Sequence, residues 1–299
     1  MPIFEGQPQS VIYDPTTGYL TDANGNPIAY ESVTLAEFQD IAFDLTIDRT
    51  VYVSDVPADR SLQGGSFWRI VPTATVKRKL ISEAVCYSTF ASAIAAFPIA
   101  SYTGLPYRCG DVGDYNVRLI SNGTRVKPES GVALLYSSPS FGTLEAQGTT
   151  DDSEAPSGST SHTYTNISKL IPANLFAAGD SLEVFAWFRK SGSAGAFIPV
   201  YSVGTNNAIA SDSSFYDIAA GSVAVDIEPH GRIKFLTTTA AIAKRANDVE
   251  ATSGSVNRLI DRTAGINLAS DMYVNIGINS KNTADTVYLV AYDMIWKAV

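Results

Sequence analysis

From Thr163 to the C-terminus the chain repeats one pattern: five to eight residues rich in β-branched, aromatic and small apolar side chains, then a break of Gly, Ser, Asn or Asp. Residues 181–188, 196–201, 223–227, 232–236, 272–278 and 286–292 are such runs, several with partial alternation of apolar and polar positions. About seven short strands over ~140 residues, punctuated by turn residues, are the mark of an antiparallel β-sandwich. The expected fold is therefore mainly β with a few short helices, closed by a jelly-roll-like C-terminal sandwich. The last run ends close to Val299, so the tail is expected to be tied into a sheet.

Composition supports this and narrows the chemistry. The 31 serines, 25 threonines, 22 glycines and 15 tyrosines make a chain that is polar without being charged, which favours strands and turns over helical bundles. At 299 residues it is long enough to bury a core without disulfide or metal staples. Lys and Arg number 21 against 30 Asp and Glu, and the densest basic run is Lys77-Arg78-Lys79. Phosphate binding needs a basic face, so nucleic acid is excluded as an expected partner. Cys86 and Cys109 form neither a disulfide framework nor a paired zinc spacing, and read as buried reduced thiols. With only His162 and His230, most metal and acid/base constellations cannot be assembled, and no cofactor is expected. Met1 to Gly6 carries no basic, apolar export signal, and no apolar run approaches the roughly 18 residues of a membrane helix. The expectation is a soluble protein made in a cytoplasm.

The N-terminal part is mixed. Its first thirty residues read as short extended pieces, with Asn24-Gly25 as a tight turn. Asp22, Asn24 and Asn26 begin like a calcium loop, but Pro27 and Val33 stand where such a loop needs Gly and Glu. Thr34-Leu35-Ala36-Glu37 is a capping box, and Leu35, Phe38, Ile41 and Ala42 follow at helical spacing, so a helix is expected over 35–44. Strands are expected at 50–54 and 66–71. An apolar stripe of Ala84, Cys86, Tyr87, Phe90, Ala91, Ile94 and Phe97 predicts a second helix over 83–97, stopped by Pro98. Residues 117–128 read as a hairpin turning at Ser121-Asn122-Gly123-Thr124, leading into 132–136. Residues 145–161 are poor in apolar side chains and read as a linker or exposed loop. The expected organisation is an α+β region over 1–75, a helix-plus-hairpin connector over 76–144, the linker, and the sandwich over 162–299.

Gly179-Asp180-Ser181-Leu182 spells the nucleophile motif of one esterase class, and Gly204-Thr205-Asn206-Asn207 nearly spells a second block of it. A nucleophilic Ser there must open a helix and find a downstream Asp-x-x-His pair. Here Ser181 opens a strand, and Asp226 and His230 are one residue too far apart, so the motif reads as a turn between strands. Asp151, Asp152 and Glu154 sit in the linker, and Asp212, Asp217, Asp226 and Glu228 cluster only in sequence, so no residue is assigned a catalytic role. Ligand binding needs only exposed aromatic faces with amide or carboxylate neighbours. The candidates are Tyr216, Tyr201, Trp187, Asn206 and Asn207, with Tyr292 and Trp296; Tyr216 leads because its surroundings are turn-rich.

Two stretches resemble a known family. Phe97-Pro98-Ile99-Ala100-Ser101-Tyr102-Thr103-Gly104-Leu105, Asp111-Val112-Gly113, Ser121-Asn122-Gly123-Thr124 and Pro128 are similar to a module of tailed-bacteriophage tail fibres and other virion appendage proteins. Ile171-Pro172-Ala173-Asn174-Leu175, followed by Gly179-Asp180-Ser181-Leu182, resembles the segment that opens the C-terminal sandwich in such chains. The resemblance spans roughly residues 95–299. It implies a non-enzymatic structural protein of the virion, usually a homotrimer, docked on other virion proteins through its N-terminal region. Its C-terminal domain then faces outward to attach to a host-surface glycan or protein. A capsid decoration, baseplate or adaptor protein without a receptor role is the alternative, and a carbohydrate-active enzyme the third reading.

Overall fold

A computed structural model of the chain describes residues 12–14, 19–21, 30–138, 146–148, 165–191, 197–207, 213–217, 226–244, 259–263, 265–280 and 286–299. The Asn24-Gly25 turn and the calcium-like string at 22–26 lie outside the described residues, as does most of the expected linker. β1 (Ile12–Asp14) and β2 (Tyr19–Thr21) pair as an antiparallel hairpin.

The next hundred residues hold one design twice. β3 (Glu31–Val33), α1 (Leu35–Gln39), β4 (Arg49–Val53), β5 (Ser66–Ile70) and β6 (Arg78–Leu80) form a sheet in chain order, with β3 and β4 parallel and the rest antiparallel. β7 (Val85–Tyr87), α2 (Phe90–Ala96), β8 (Pro106–Cys109), β9 (Leu119–Ser121) and β10 (Val126–Pro128) repeat that topology. The local bonding repeats as well. Thr34 and Thr89 cap the two helices, their hydroxyls accepting from Glu37 N (3.3 Å) and Ser92 N (3.2 Å). The first helical amide of each module donates to an aspartate just past the next strand: Leu35 N to Asp55 Oδ1 (2.6 Å) and Phe90 N to Asp111 Oδ1 (2.8 Å). Each carboxylate thus satisfies one of the amides that a helix start leaves unpaired.

Two expectations are corrected here. The helix expected over 35–44 ends at Gln39, because the Asp40 carboxylate accepts from Ala42 N (2.7 Å) in a side-chain turn. The helix expected over 83–97 is a strand followed by a shorter helix: Val85–Tyr87 pairs with Pro106–Cys109, and Thr89 caps a new start at Phe90.

The rest of the described chain is a β-sandwich. β11 (Val132–Ser137), β12 (Ala146–Gly148), β13 (Thr165–Ile171), β14 (Ser181–Ser191), β15 (Phe197–Gly204) and β16 (Ser213–Asp217) come first. β17 (Asp226–Ile227), β18 (His230–Phe235), β19 (Ala241–Lys244), β20 (Leu259–Arg262), β21 (Met272–Ser280) and β22 (Thr286–Lys297) follow. One sheet has eight strands, running β11-β22-β14-β18-β19-β20 with β12 also on β22 and β17 also on β14; the other runs β13-β21-β15-β16. All of these pairs are antiparallel. β11, from the stretch read as connector, and β12, from the stretch read as linker, both complete the edge of the C-terminal strand β22.

The repeated modules and the sandwich share one hydrophobic core running from Phe38 to Trp296. Trp68 of the first module stacks on Phe97 after α2, with ring centroids 5.4 Å apart. At the second seam Asp180 is fully buried and collects five donors. Arg125, in the β9–β10 turn, reaches both of its oxygens; Trp296 Nε1 (3.0 Å), Ala177 N (3.0 Å) and Val299 N (3.1 Å) take the remaining positions. That network accounts for the aspartate of the esterase-like motif. Gly179 turns at φ +98° and Ser181 opens β14 as a buried strand residue.

Candidate functional site

β14 runs through the middle of the eight-stranded sheet and sorts its side chains by alternation. Leu182, Val184, Ala186 and Phe188 enter the core, whereas Glu183, Phe185 and Trp187 take the other face. Trp187 is 39% exposed there, an unusually open position for so large an apolar group on a central strand. β11 adds Val132 and Leu134, both 49% exposed, to the same face, since its burial alternates and Ala133 and Leu135 point inward.

Around Trp187 the face is concave. A cavity of about 280 Å³ is bordered by Leu134, Ser137, Phe185, Trp187, Glu228 and Asp293. The Phe185 ring stacks flat on the His230 imidazole, 4.1 Å between centroids and 8° between planes. Glu228 and Asp293 are exposed, which suits carboxylates that accept hydrogen bonds from a ligand's hydroxyl groups.

Farther along β14 the face turns basic. Glu183 accepts from Lys297 Nζ (2.8 Å) and faces Arg232 Nε (3.3 Å), with His230 Nε2 at 4.0 Å. By strand register Ser181 lies between Lys297 of β22 and Lys234 of β18, and Lys234 is exposed. Arg232 and Lys297 keep 49% and 41% of their side-chain surface in water although both meet Glu183.

Of the aromatic candidates from sequence, Trp187 borders the cavity openly and Tyr292 borders it as a buried wall residue. Tyr201 is corrected: it is fully buried and its hydroxyl donates to the Pro229 carbonyl (3.0 Å), so no ligand reaches it. Trp296 is likewise buried, on Asp180. Tyr216 pairs through its backbone with Tyr201 in the four-stranded sheet, and its side chain lies outside the described residues. Asn206 and Asn207 are exposed after β15, in that other sheet; the Asn206 carbonyl accepts from Asn275 Nδ2 (3.1 Å). The sequence reading missed Phe185, Glu228, Asp293 and Ser137 as neighbours of Trp187. Counting in twos from Ser181 places Phe185 beside Trp187, but β11 and β22 meet the site only through long-range pairing.

A larger cleft of about 900 Å³ lies between the second module and β11. Its cations are already engaged: Arg118 pairs with Glu129 and donates to the Glu83 carbonyl (3.2 Å), while Lys169 sits over the Tyr136 and Tyr292 rings at 5.6 and 5.8 Å. Among the described residues no three His, Cys, Asp or Glu side chains are grouped to hold a metal ion, and no helix is long and apolar enough to cross a membrane. No protein-family model, curated protein or solved structure matches the chain.

Proposed function

We propose that the chain is a structural subunit of a tailed-phage virion, a short tail fibre or related appendage, that attaches to the host surface. In this reading it is a homotrimer, held to other virion proteins through its N-terminal region, with its C-terminal sandwich facing outward. The observation that carries attachment is the open Trp187 face: a large aromatic surface beside exposed carboxylates, on a central strand. Such a surface binds without chemistry, because an aromatic ring supplies apolar area and the flanking polar groups fix orientation.

Competition for adsorption tests it. Purified full-length chain added in excess should reduce adsorption of the virion that carries it, and Trp187→Ala should compete poorly while keeping the parent's circular dichroism spectrum. A decoration, baseplate or adaptor protein predicts no competition by either form.

A further inference from the structure

Resting on that attachment reading, we propose that the ligand of the Trp187 face is an anionic saccharide chain. One sugar ring lies against Trp187, and the acidic groups reach the basic end of the same face. The two ends of this face differ in chemistry. The Trp187 end offers two aromatic rings, the Ser137 hydroxyl, and the Glu228 and Asp293 carboxylates, with Arg189 exposed beyond Trp187 on β14. At the other end Arg232 and Lys297, with His230 alongside, meet the Glu183 carboxylate, and Lys234 lies next to them opposite Ser181. In a chain with nine more acidic than basic side chains, that end reverses the prevailing charge locally.

Among the described residues Glu183 is one carboxylate set against three permanent cations, so the cluster presents positive charge that an approaching anion would meet. Lys234 is exposed and Arg232 and Lys297 are about half exposed, so their heads reach solvent without rearrangement of the sheet. Trp187 and Glu183 are four residues apart on one strand, which is about 13 Å at the rise of a β-strand. A ligand that uses both ends must therefore be extended, with a ring at one end and negative charge about 13 Å away at the other. A chain of about three acidic sugar rings meets that requirement, whereas a free inorganic anion or a single neutral sugar meets half of it.

The test is calorimetric titration of the full chain with trigalacturonate, with neutral maltotriose, and with inorganic sulfate as a competitor. Trigalacturonate should bind at least about tenfold more tightly than maltotriose, the worth of one charge-assisted hydrogen bond, and should weaken as salt rises. Arg232→Gln combined with Lys234→Gln should remove that preference, bringing trigalacturonate down to the affinity of maltotriose. Lys234→Gln alone, at an exposed position, should remove part of it without burdening the fold. Trp187→Ala should weaken both saccharides. Equal binding of the two trisaccharides, binding of neither, indifference to the basic-end substitutions, or displacement by sulfate at equal concentration would each overturn the proposal. Trigalacturonate binding without competition for adsorption would instead count against the attachment reading and leave the ligand class standing.

Discussion

Asp180 is the residue on which the second module, the β13–β14 connection and the C-terminus converge. Its buried carboxylate receives a two-pronged Arg125 contact and three further N–H donors. Removing one member of a buried charged network leaves the others desolvated and unpaired. Asp180→Ala should therefore cost ~3–5 kcal/mol in urea unfolding. Arg125→Ala should cost less, about 1–3 kcal/mol, because Trp296 and two backbone amides still hold the carboxylate. An Arg125→Ala loss equal to or above that of Asp180→Ala would contradict this assignment. The two thiols give a second residue-scale prediction. Burial pushes the Cys86 thiol up to about 11, and pushes Cys109 farther in the same direction. Both should be protonated at pH 8 and resist a disulfide-exchange reagent in the folded state, then react once the chain is unfolded. Rapid labelling of either in the native protein would show the burial to be wrong.

At the scale of elements, the repeated strand–helix–strand unit assigns one carboxylate to each helix start. Asp111 accepts from Phe90 N, and burial, the largest influence on it, raises its pKa above the ordinary carboxylate value. A raised folded-state value means that the native chain holds this proton more tightly than the unfolded one. Its ionisation therefore subtracts stability at neutral pH, and that loss is recovered as pH falls through the folded pKa. Asp111→Asn keeps an acceptor for Phe90 N and should be at least as stable as the parent at pH 7, with the difference shrinking as pH falls through the raised pKa of the folded state. Asp111→Ala orphans the amide and should lose ~1–3 kcal/mol at pH 7. The elements also show what could be read from sequence. The capping box at Thr34, the hairpin at Asn122-Gly123 and the strands β14, β15, β18, β21 and β22 were legible because their signals are local, whereas β13, β16, β19 and β20 fall outside the expected runs, β16 in a stretch read as turn-rich. Val85–Tyr87 was not: its apolar spacing also fits a helix, and its parallel partner begins at Pro106, beyond α2. The duplication had a trace in sequence, Thr34 with Ser54-Asp55-Val56 against Thr89 with Gly110-Asp111-Val112, but its weight comes from matched hydrogen bonds. At the site Trp187 was legible, whereas Glu228 and Asp293 join it only through cross-strand register.

As a whole molecule, the chain couples two stacked βαβ modules to a sandwich through one continuous core, with an open face on the outer side of the larger sheet. Buried rings at Trp68 and Phe97 join the two modules, and a buried ion network at Asp180 joins the second module to the sandwich. In the proposed attachment role, self-association would raise the effective binding strength, because several weak faces on one particle bind far more strongly than one. That the chain is a self-assembling appendage subunit is tested most directly by its solution mass, measured by light scattering on the purified full-length protein. A mass three times the 31.9 kDa of the chain is the predicted result. A mass equal to that of the single chain, unchanged on concentration, would contradict it.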